Sequence, residues 1–297
     1  MKSIRWMATG ALAVVITGLF VFAISGEEKK HLFKEGTAQY FPAKVDFAGE
    51  ATPLHLADVK ERFDRELLVN ANLHSSTILI MKRANRAFPV IEPILKQYGV
   101  PDDFKYLAVI ESALLNAVSA SGARGVWQFM PDTAKEKGME VSETVDERYH
   151  LQKSTEAACK YLLAAKNKFG SWTMAAASYN GGMNGLSRKL EEQGVTDYYD
   201  LLLTDETHRY VFRILALKEI MQHPDLYGFD VSQHELYENL PTKIVEVDSS
   251  INDLAKFAKL QGVNYKILKI HNPWLRDKKL ANPGKKKYQI EIPTKGY

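Results

Sequence analysis

Residues 101–115 read PDDFKYLAVIESALL, and the interpretation of the chain turns on the glutamate at position 111. Pro101 followed by Asp102 and Asp103 predicts a helix start, with proline at the first position and carboxylates where the macrodipole favours them. At about 100° per residue, Phe104, Leu107, Ala108, Leu114 and Leu115 form one apolar stripe, and Glu111 falls in its middle. A glutamate there is not a solvated surface charge. Desolvation raises a carboxyl pKa, and a raised pKa suits a general acid working near neutral pH. On the stripe alone, a buried glutamate paired to an arginine, such as Arg124, is the more frequent explanation.

The next segments of the chain add to the case. Ser119-Ala-Ser-Gly122-Ala-Arg-Gly125-Val-Trp-Gln128-Phe-Met130-Pro131 is a glycine-punctuated loop running into a second helix. That helix has Pro131 and Asp132 at its start and Gly138 after a lysine-rich end. Gly122 and Gly125 allow positive φ or a close backbone approach to a ligand. Farther on, Ala175-Ala-Ala-Ser-Tyr179-Asn180-Gly181-Gly182 predicts a small-residue helix ending at a double glycine, with Tyr179 and Asn180 at its terminus. Each piece alone has a purely structural explanation, since glycines cap helices and tyrosines fill cores.

Working outward, Leu56–Asn70 has amphipathic helical spacing, and Thr77–Ala84 predicts a short helix. Helical signals are densest from Phe88 to His223, with no convincing strand pattern. From Lys243 the period changes. KIVEVD at 243–248 and KYQIEIP at 287–293 alternate, with two helical segments between them, which predicts a βααβ unit. The expected organisation is an N-terminal segment (1–30), a helical and irregular extension (31–87), a helical catalytic domain (88–235) and a small module (241–297). The module is also electrically distinct. It holds twelve Lys/Arg against five Asp/Glu, a net of +7, which leaves the other 240 residues at −4 within a total of +3. Lys285-Lys286-Lys287 is the densest part of this charge and reads either as a solvated face or as a contact for anionic polymer.

Lys2 and Arg5 precede an uncharged run from Trp6 to Gly26. As a helix it would be roughly 30 Å long, matching a bilayer core. The positive flank places the rest of the chain outside the cytoplasm. The run reads as an uncleaved anchor or as a signal segment cut near Ala23-Ile24-Ser25; export is expected either way. The single cysteine, Cys159, makes no internal disulfide and sits among Ala157, Ala158, Tyr161 and Leu162, so it is read as a buried core residue. The eight histidines are scattered without ligand spacing, so no metal or cofactor is expected. No basic-aromatic motif points to nucleic acid.

In combination these segments resemble the lytic transglycosylases that carry a soluble-lytic-transglycosylase domain. The matching elements are Glu111-Ser112, Ser119 through Ala134, Asp146-Glu-Arg148, Ser154 through Leu162, Ala176 through Gly182, and Glu206-Thr-x-x-Tyr210-Val211, in order over about 100 residues. Among them the chain looks most like the membrane-bound murein transglycosylases of D type. The usual proline and aromatic near Leu114–Asn116 are absent. The tail resembles a divergent LysM module in Leu254-Ala255, Gly262-Val263, Asn272-Pro273 and Ile292-Pro293, but has Asp248-Ser-Ser250 where a glycine-aspartate is usual.

The resemblance implies a mainly α, lysozyme-like catalytic domain followed by the βααβ module, in an envelope protein on the periplasmic side, held by its N-terminal helix. It implies peptidoglycan glycan strands as substrate, cleaved without water to 1,6-anhydro products. It assigns Glu111 as acid and then base, and Ser119, Gln128, Met130, Tyr179, Asn180 and Glu206 as substrate-binding residues. The alternatives are a lysozyme-type hydrolase of the same bond and a non-catalytic wall-binding protein.

Overall fold

The computed structural model describes residues 40–297; the expected anchor and signal site lie outside the described residues. A short hairpin, β1 (Asp46–Phe47) and β2 (Glu50–Ala51), precedes helices α1 (Ala57–Asn72) and α2 (His74–Tyr98). The helical body continues with α3 (Lys105–Ser112), α4 (Pro131–Glu136), α5 (Leu151–Phe169), α6 (Trp172–Gly181), α7 (Met183–Gln193) and α8 (Asp205–Gln222). The strands β3 (Thr242–Val247) and β4 (Tyr288–Pro293) enclose α9 (Leu254–Leu260) and α10 (Tyr265–His271). The architecture is mainly α with a terminal βααβ module, as the periodicity predicts.

Helix α8 organises the body. Its buried residues Tyr210, Val211, Phe212, Ile214, Leu215 and Leu217 point in several directions, so the helix is apolar nearly all round and is surrounded. Helices α1, α3 and α6 pack against it. Phe47, Phe63 and Leu67 belong to the same core as Leu107 and Phe212. The residues before 88 are thus fused to the helical body. Glu66, buried on α1, is matched by the Arg209 guanidinium of α8 at 2.6 Å.

Two stretches depart from the sequence reading. Residues 77–84 are one part of the 25-residue α2, which runs through Pro89 and Pro93. Each proline removes a backbone donor, yet Ile80, Ala84, Ala87, Ile91, Ile94 and Leu95 bury one continuous face across both, and that packing holds the helix. Near Glu111 the helix begins later than Pro101 suggests, after a 3₁₀ turn at Asp102–Phe104, and it ends at Ser112. Ala113 and Leu114 are left-handed, with φ of 51° and 60°. Leu114 is buried, but Leu115 is 46% exposed, so the chain turns away just past Glu111 and the apolar stripe stops at Leu114.

In the module, β3 and β4 pair antiparallel from Thr242↔Pro293 to Val247↔Tyr288. Asp253 and Asn264 cap α9 and α10 by accepting from Ala255 N and Ile267 N, at 2.8 and 2.9 Å. The buried Asn272 uses its whole amide, donating to Leu268 O and Glu291 O and accepting from Glu291 N. The module's core of Leu254, Leu268, Leu275, Ile290 and Ile292 also takes in Val145 and Tyr149 of the helical body. Backbone bonds cross this seam, from Asp146 N to Trp274 O at 2.9 Å and from Arg276 N to Thr144 O at 2.8 Å. Lys286 Nζ bridges Glu140 and Glu147 at 2.8 and 2.9 Å.

Candidate active site

Helix α3 delivers Glu111 in its last turn, half-buried against α8. The Tyr210 hydroxyl of α8 donates a hydrogen bond to the Glu111 carboxylate. One turn on, Arg213 Nη2 donates to Ile110 O at 3.3 Å, which brings its positive charge close to the acid. Burial dominates the electrostatics and pushes the Glu111 carboxyl up to about 7, against the opposing pull of Tyr210 and Arg213; the charge of Glu206 adds to the rise. A carboxyl titrating there is half protonated at neutral pH, so it can give a proton and take one back.

The loop at 117–130 is held from several sides. Ser112 Oγ donates to Val126 O at 2.8 Å, and Gly125 N to Ala117 O at 3.0 Å. Gly125 has φ +83°, and a Cβ there would lie 1.8 Å from Arg148 O, so two backbones touch where only glycine fits. Arg148 is buried and paired with Asp146 at 2.8 Å, and it donates from Nη1 to Gly122 O and Phe129 O, each at 3.2 Å. Trp127 is fully buried, with Nε1 donating to Thr155 Oγ1 at 2.8 Å.

The residues singled out from the sequence divide into two groups. Tyr179, Asn180 and Glu206 gather near Glu111. The Tyr179 hydroxyl donates to Trp127 O at 2.8 Å, and burial, then the charge on Glu111, hold it well above its ordinary value. Asn180 donates to Glu206 Oε1 at 3.2 Å and accepts from Thr207 Oγ1 at 2.8 Å, fixing its amide orientation. Ser119 and Gln128 instead tie the loop to itself. The Ser119 hydroxyl accepts from Ala123 N at 2.9 Å, and Gln128, at φ 49°, donates to Gly125 O at 2.7 Å. Gln128, 42%-exposed Met130, Tyr179 and Asn180 line a groove of about 560 Å³. Glu111 is outside that lining and connects to it through Glu206 and Asn180.

Sequence reasoning assigned no role to Tyr210 or Arg213. The signal was present, because Glu206, Tyr210 and Arg213 stand at i, i+4 and i+7 on one face of a helix. The arginine suggested for Glu111, Arg124, lies instead 3.7 Å from Asp146. Cys159 is fully buried, and burial pushes its thiol up to about 12, so it packs as an inert core residue.

A helical body presenting a desolvated acid beside a groove, with a βααβ module docked on its flank, defines a two-part protein with a candidate acid-base site. Residues 89–202 match the transglycosylase SLT domain, and residues 243–296 match the soluble lytic transglycosylase C-terminal LysM-like domain. The chain thus carries one region similar to the SLT domain of lytic transglycosylases and a second similar to their C-terminal LysM-like domain. It is 26% identical over 243 residues to the membrane-bound lytic murein transglycosylase D of two Escherichia coli strains, covering 80% of this chain and 52% of each relative. The chain thus spans about half the length of the curated relatives it matches. A solved structure of an inactive mutant of the lytic transglycosylase Slt from Pseudomonas aeruginosa aligns with 51% of this chain and 26% of that one, at 21% identity and a TM-score of 0.36.

Proposed function

We propose that the chain cleaves the β-1,4 bond between N-acetylmuramic acid and N-acetylglucosamine in peptidoglycan as a lytic transglycosylase, with Glu111 as acid and then base. The observation that carries this is the half-buried Glu111 carboxyl, titrating near 7 under a tyrosine hydroxyl and an arginine. Protonated Glu111 donates to the glycosidic oxygen as the bond to C1 breaks. The substrate's own N-acetyl oxygen stabilises the cation forming at C1. The Glu111 carboxylate then removes the proton from the C6 hydroxyl, and O6 bonds to C1, giving the 1,6-anhydro sugar with the acid regenerated and no water consumed. Holding O6 beside C1 supplies the proximity that lets it compete with solvent.

In this reading Tyr210 orients the carboxylate, and Tyr179 and Asn180 border the sugar carrying the N-acetyl group. Met130 and Gln128 shape the groove floor, Ser119 supports the loop, and Glu206 meets the polar parts of the substrate. The protein works in the cell envelope on the periplasmic side, with residues 6–26 as its membrane attachment; among the described residues no helix is long and apolar enough to cross a membrane. A lysozyme-type hydrolase is the second reading. It is favoured by Glu206, a second carboxylate within electrostatic reach of Glu111, since ordinary glycosidases use two. Glu111→Gln is expected to abolish release of soluble fragments from purified sacculi while leaving the fold intact. Cleavage retained by that variant would remove Glu111 from the mechanism.

A further inference from the structure

A groove with no assigned role lies along the seam between the helical body and the βααβ module. It has a volume of about 860 Å³, ample for a ligand of several residues. Arg83 and Arg86 of α2, Leu115 and Asn116 just after α3, His271 of α10 and Glu291 of β4 all line it. The backbone and lysine bonds across the seam hold this lining in register, so the groove is a fixed feature of the full chain rather than a gap between tethered parts.

Among the described residues, Glu291, Arg83 and Arg86 have no ion-pair partner. Glu291 is half-buried, and among the described residues its carboxylate has no hydrogen bond or ion pair; only its backbone is engaged, with Asn272. Burial alone holds it above the ordinary carboxyl range. On α2, Arg83 Nη1 donates to Ala113 O at 3.2 Å, and the Arg86 guanidinium lies 5.3 Å from the centre of the Tyr237 ring. Neither arginine has a carboxylate partner among the described residues. His271, facing Arg86, is lowered by burial and then by that charge, so it adds no competing cation near neutral pH. Glu238 stands at the exposed rim.

A half-buried anion and guanidinium groups lining one groove suit a ligand carrying both signs. A neutral amino-sugar chain offers neither, whereas the peptides attached to wall glycan carry free ammonium and carboxylate groups. The position agrees. Asn116 lies five residues after Glu111, so the groove begins within roughly 17 Å of the acid, close enough for a peptide hanging from the sugar being cleaved.

We infer that this groove binds the peptide stem of the substrate, with an ammonium group at Glu291 and a carboxylate at Arg86. The inference rests on the wall-glycan reading of the active site. It predicts that the full chain selects peptide-bearing over bare glycan through residues outside the groove lined by Met130 and Tyr179.

The test is calorimetry on the full chain carrying Glu111→Gln, so that nothing is cleaved. The probes are a wall tetrapeptide with free ammonium and carboxylates, the same peptide acetylated on its ammonium, and an N-acetylglucosamine tetramer. A charge-assisted contact at the half-buried Glu291 predicts weakening of about tenfold or more on adding Glu291→Gln or on acetylating the peptide, and a smaller loss on adding Arg86→Ala, since that guanidinium is exposed. Acetylation and Glu291→Gln together should cost no more than either alone. Acetylation also probes the contact without altering the protein's fold. Absence of peptide binding, binding indifferent to both substitutions and to acetylation, or these substitutions weakening only the sugar tetramer would each overturn the inference. Cleavage is scored separately on the unaltered chain. Glu291-dependent binding without cleavage would defeat only the catalytic reading, and cleavage with Glu291-independent binding would defeat only this one.

Discussion

Replacing Tyr210 by phenylalanine removes one hydroxyl from a fully packed position and leaves the Glu111 carboxylate without its hydrogen-bond donor. That donor favours the ionised carboxylate, so its loss moves the titration upward. A hydrogen bond to a charged group contributes roughly 1.5–3 kcal/mol, and about 1.4 kcal/mol corresponds to one pKa unit. The Glu111 carboxyl, about 7 in the intact site, should therefore rise by about one to two units. The general acid must be protonated, so kcat/KM declines as pH rises through its pKa. In Tyr210→Phe this alkaline limb should move up by one to two units, while the maximal rate falls because the carboxyl is less well oriented. The assay is the pH dependence of kcat/KM on soluble wall fragments. Glu206→Gln is the control of opposite sign, since removing a neighbouring negative charge shifts the limb down, by less than one unit for so exposed a group. A limb that stays in place or moves down in Tyr210→Phe would refute the assignment of Tyr210 to Glu111.

The same geometry sets three further outcomes. Glu111 has a raised pKa in the folded chain, so between the unfolded value near 4.5 and about 7 the native state binds more protons and this group's contribution to stability falls as pH rises. Glu111→Gln should therefore be more stable than wild type at pH 8 by roughly 2–3 kcal/mol, with the gap closing toward pH 4, as measured by chemical denaturation. For Glu50 burial acts upward, but the N–H groups of Thr173 and Trp172 and the hydroxyls of Ser171 and Thr173 outweigh it and bring the carboxyl to about 2. Its contribution is complete above the unfolded pKa and lost as pH falls toward 2, so Glu50→Gln should destabilise at pH 7 by about 1 kcal/mol, allowing for partial exposure, and little at pH 2. Gly125→Ala should lower the melting temperature far more than Gly122→Ala. Both positions have positive φ, but only at 125 would the new Cβ strike a backbone oxygen; equal effects would mean the contact with Arg148 is not what requires glycine.

Much of this site was legible in the sequence because its signals are local. A glutamate among apolar helical neighbours implied burial, and glycine positions implied a tight loop. Alternation after residue 243 marked a new module, and Asn272-Pro273, noted only as part of a resemblance, proves to carry a buried amide that ties α10 to β4. What escaped depends on long-range packing or on backbone conformations no pattern encodes. Tyr210 and Arg213 reach Glu111 only because α8 crosses α3, about 100 residues later in the chain. The early end of α3 depends on two left-handed non-glycine residues, Ala113 and Leu114, which propensity opposes and which bonds from Arg83 and Ser112 hold in place. Helix α2 continues through two prolines because its buried face outweighs the lost donors. The seam between body and module was invisible because Val145 and Tyr149 lie in sequence among residues of the helical body.

The most direct measurement is the mass of the muropeptides released from purified sacculi by the unaltered chain. Attack by the C6 hydroxyl predicts products ending in 1,6-anhydro-N-acetylmuramic acid, lighter by one water than a hydrolase product and without a reducing end, and absent with Glu111→Gln. Reducing-end products heavier by one water would contradict the account and favour hydrolysis, with Glu206 as the second carboxylate.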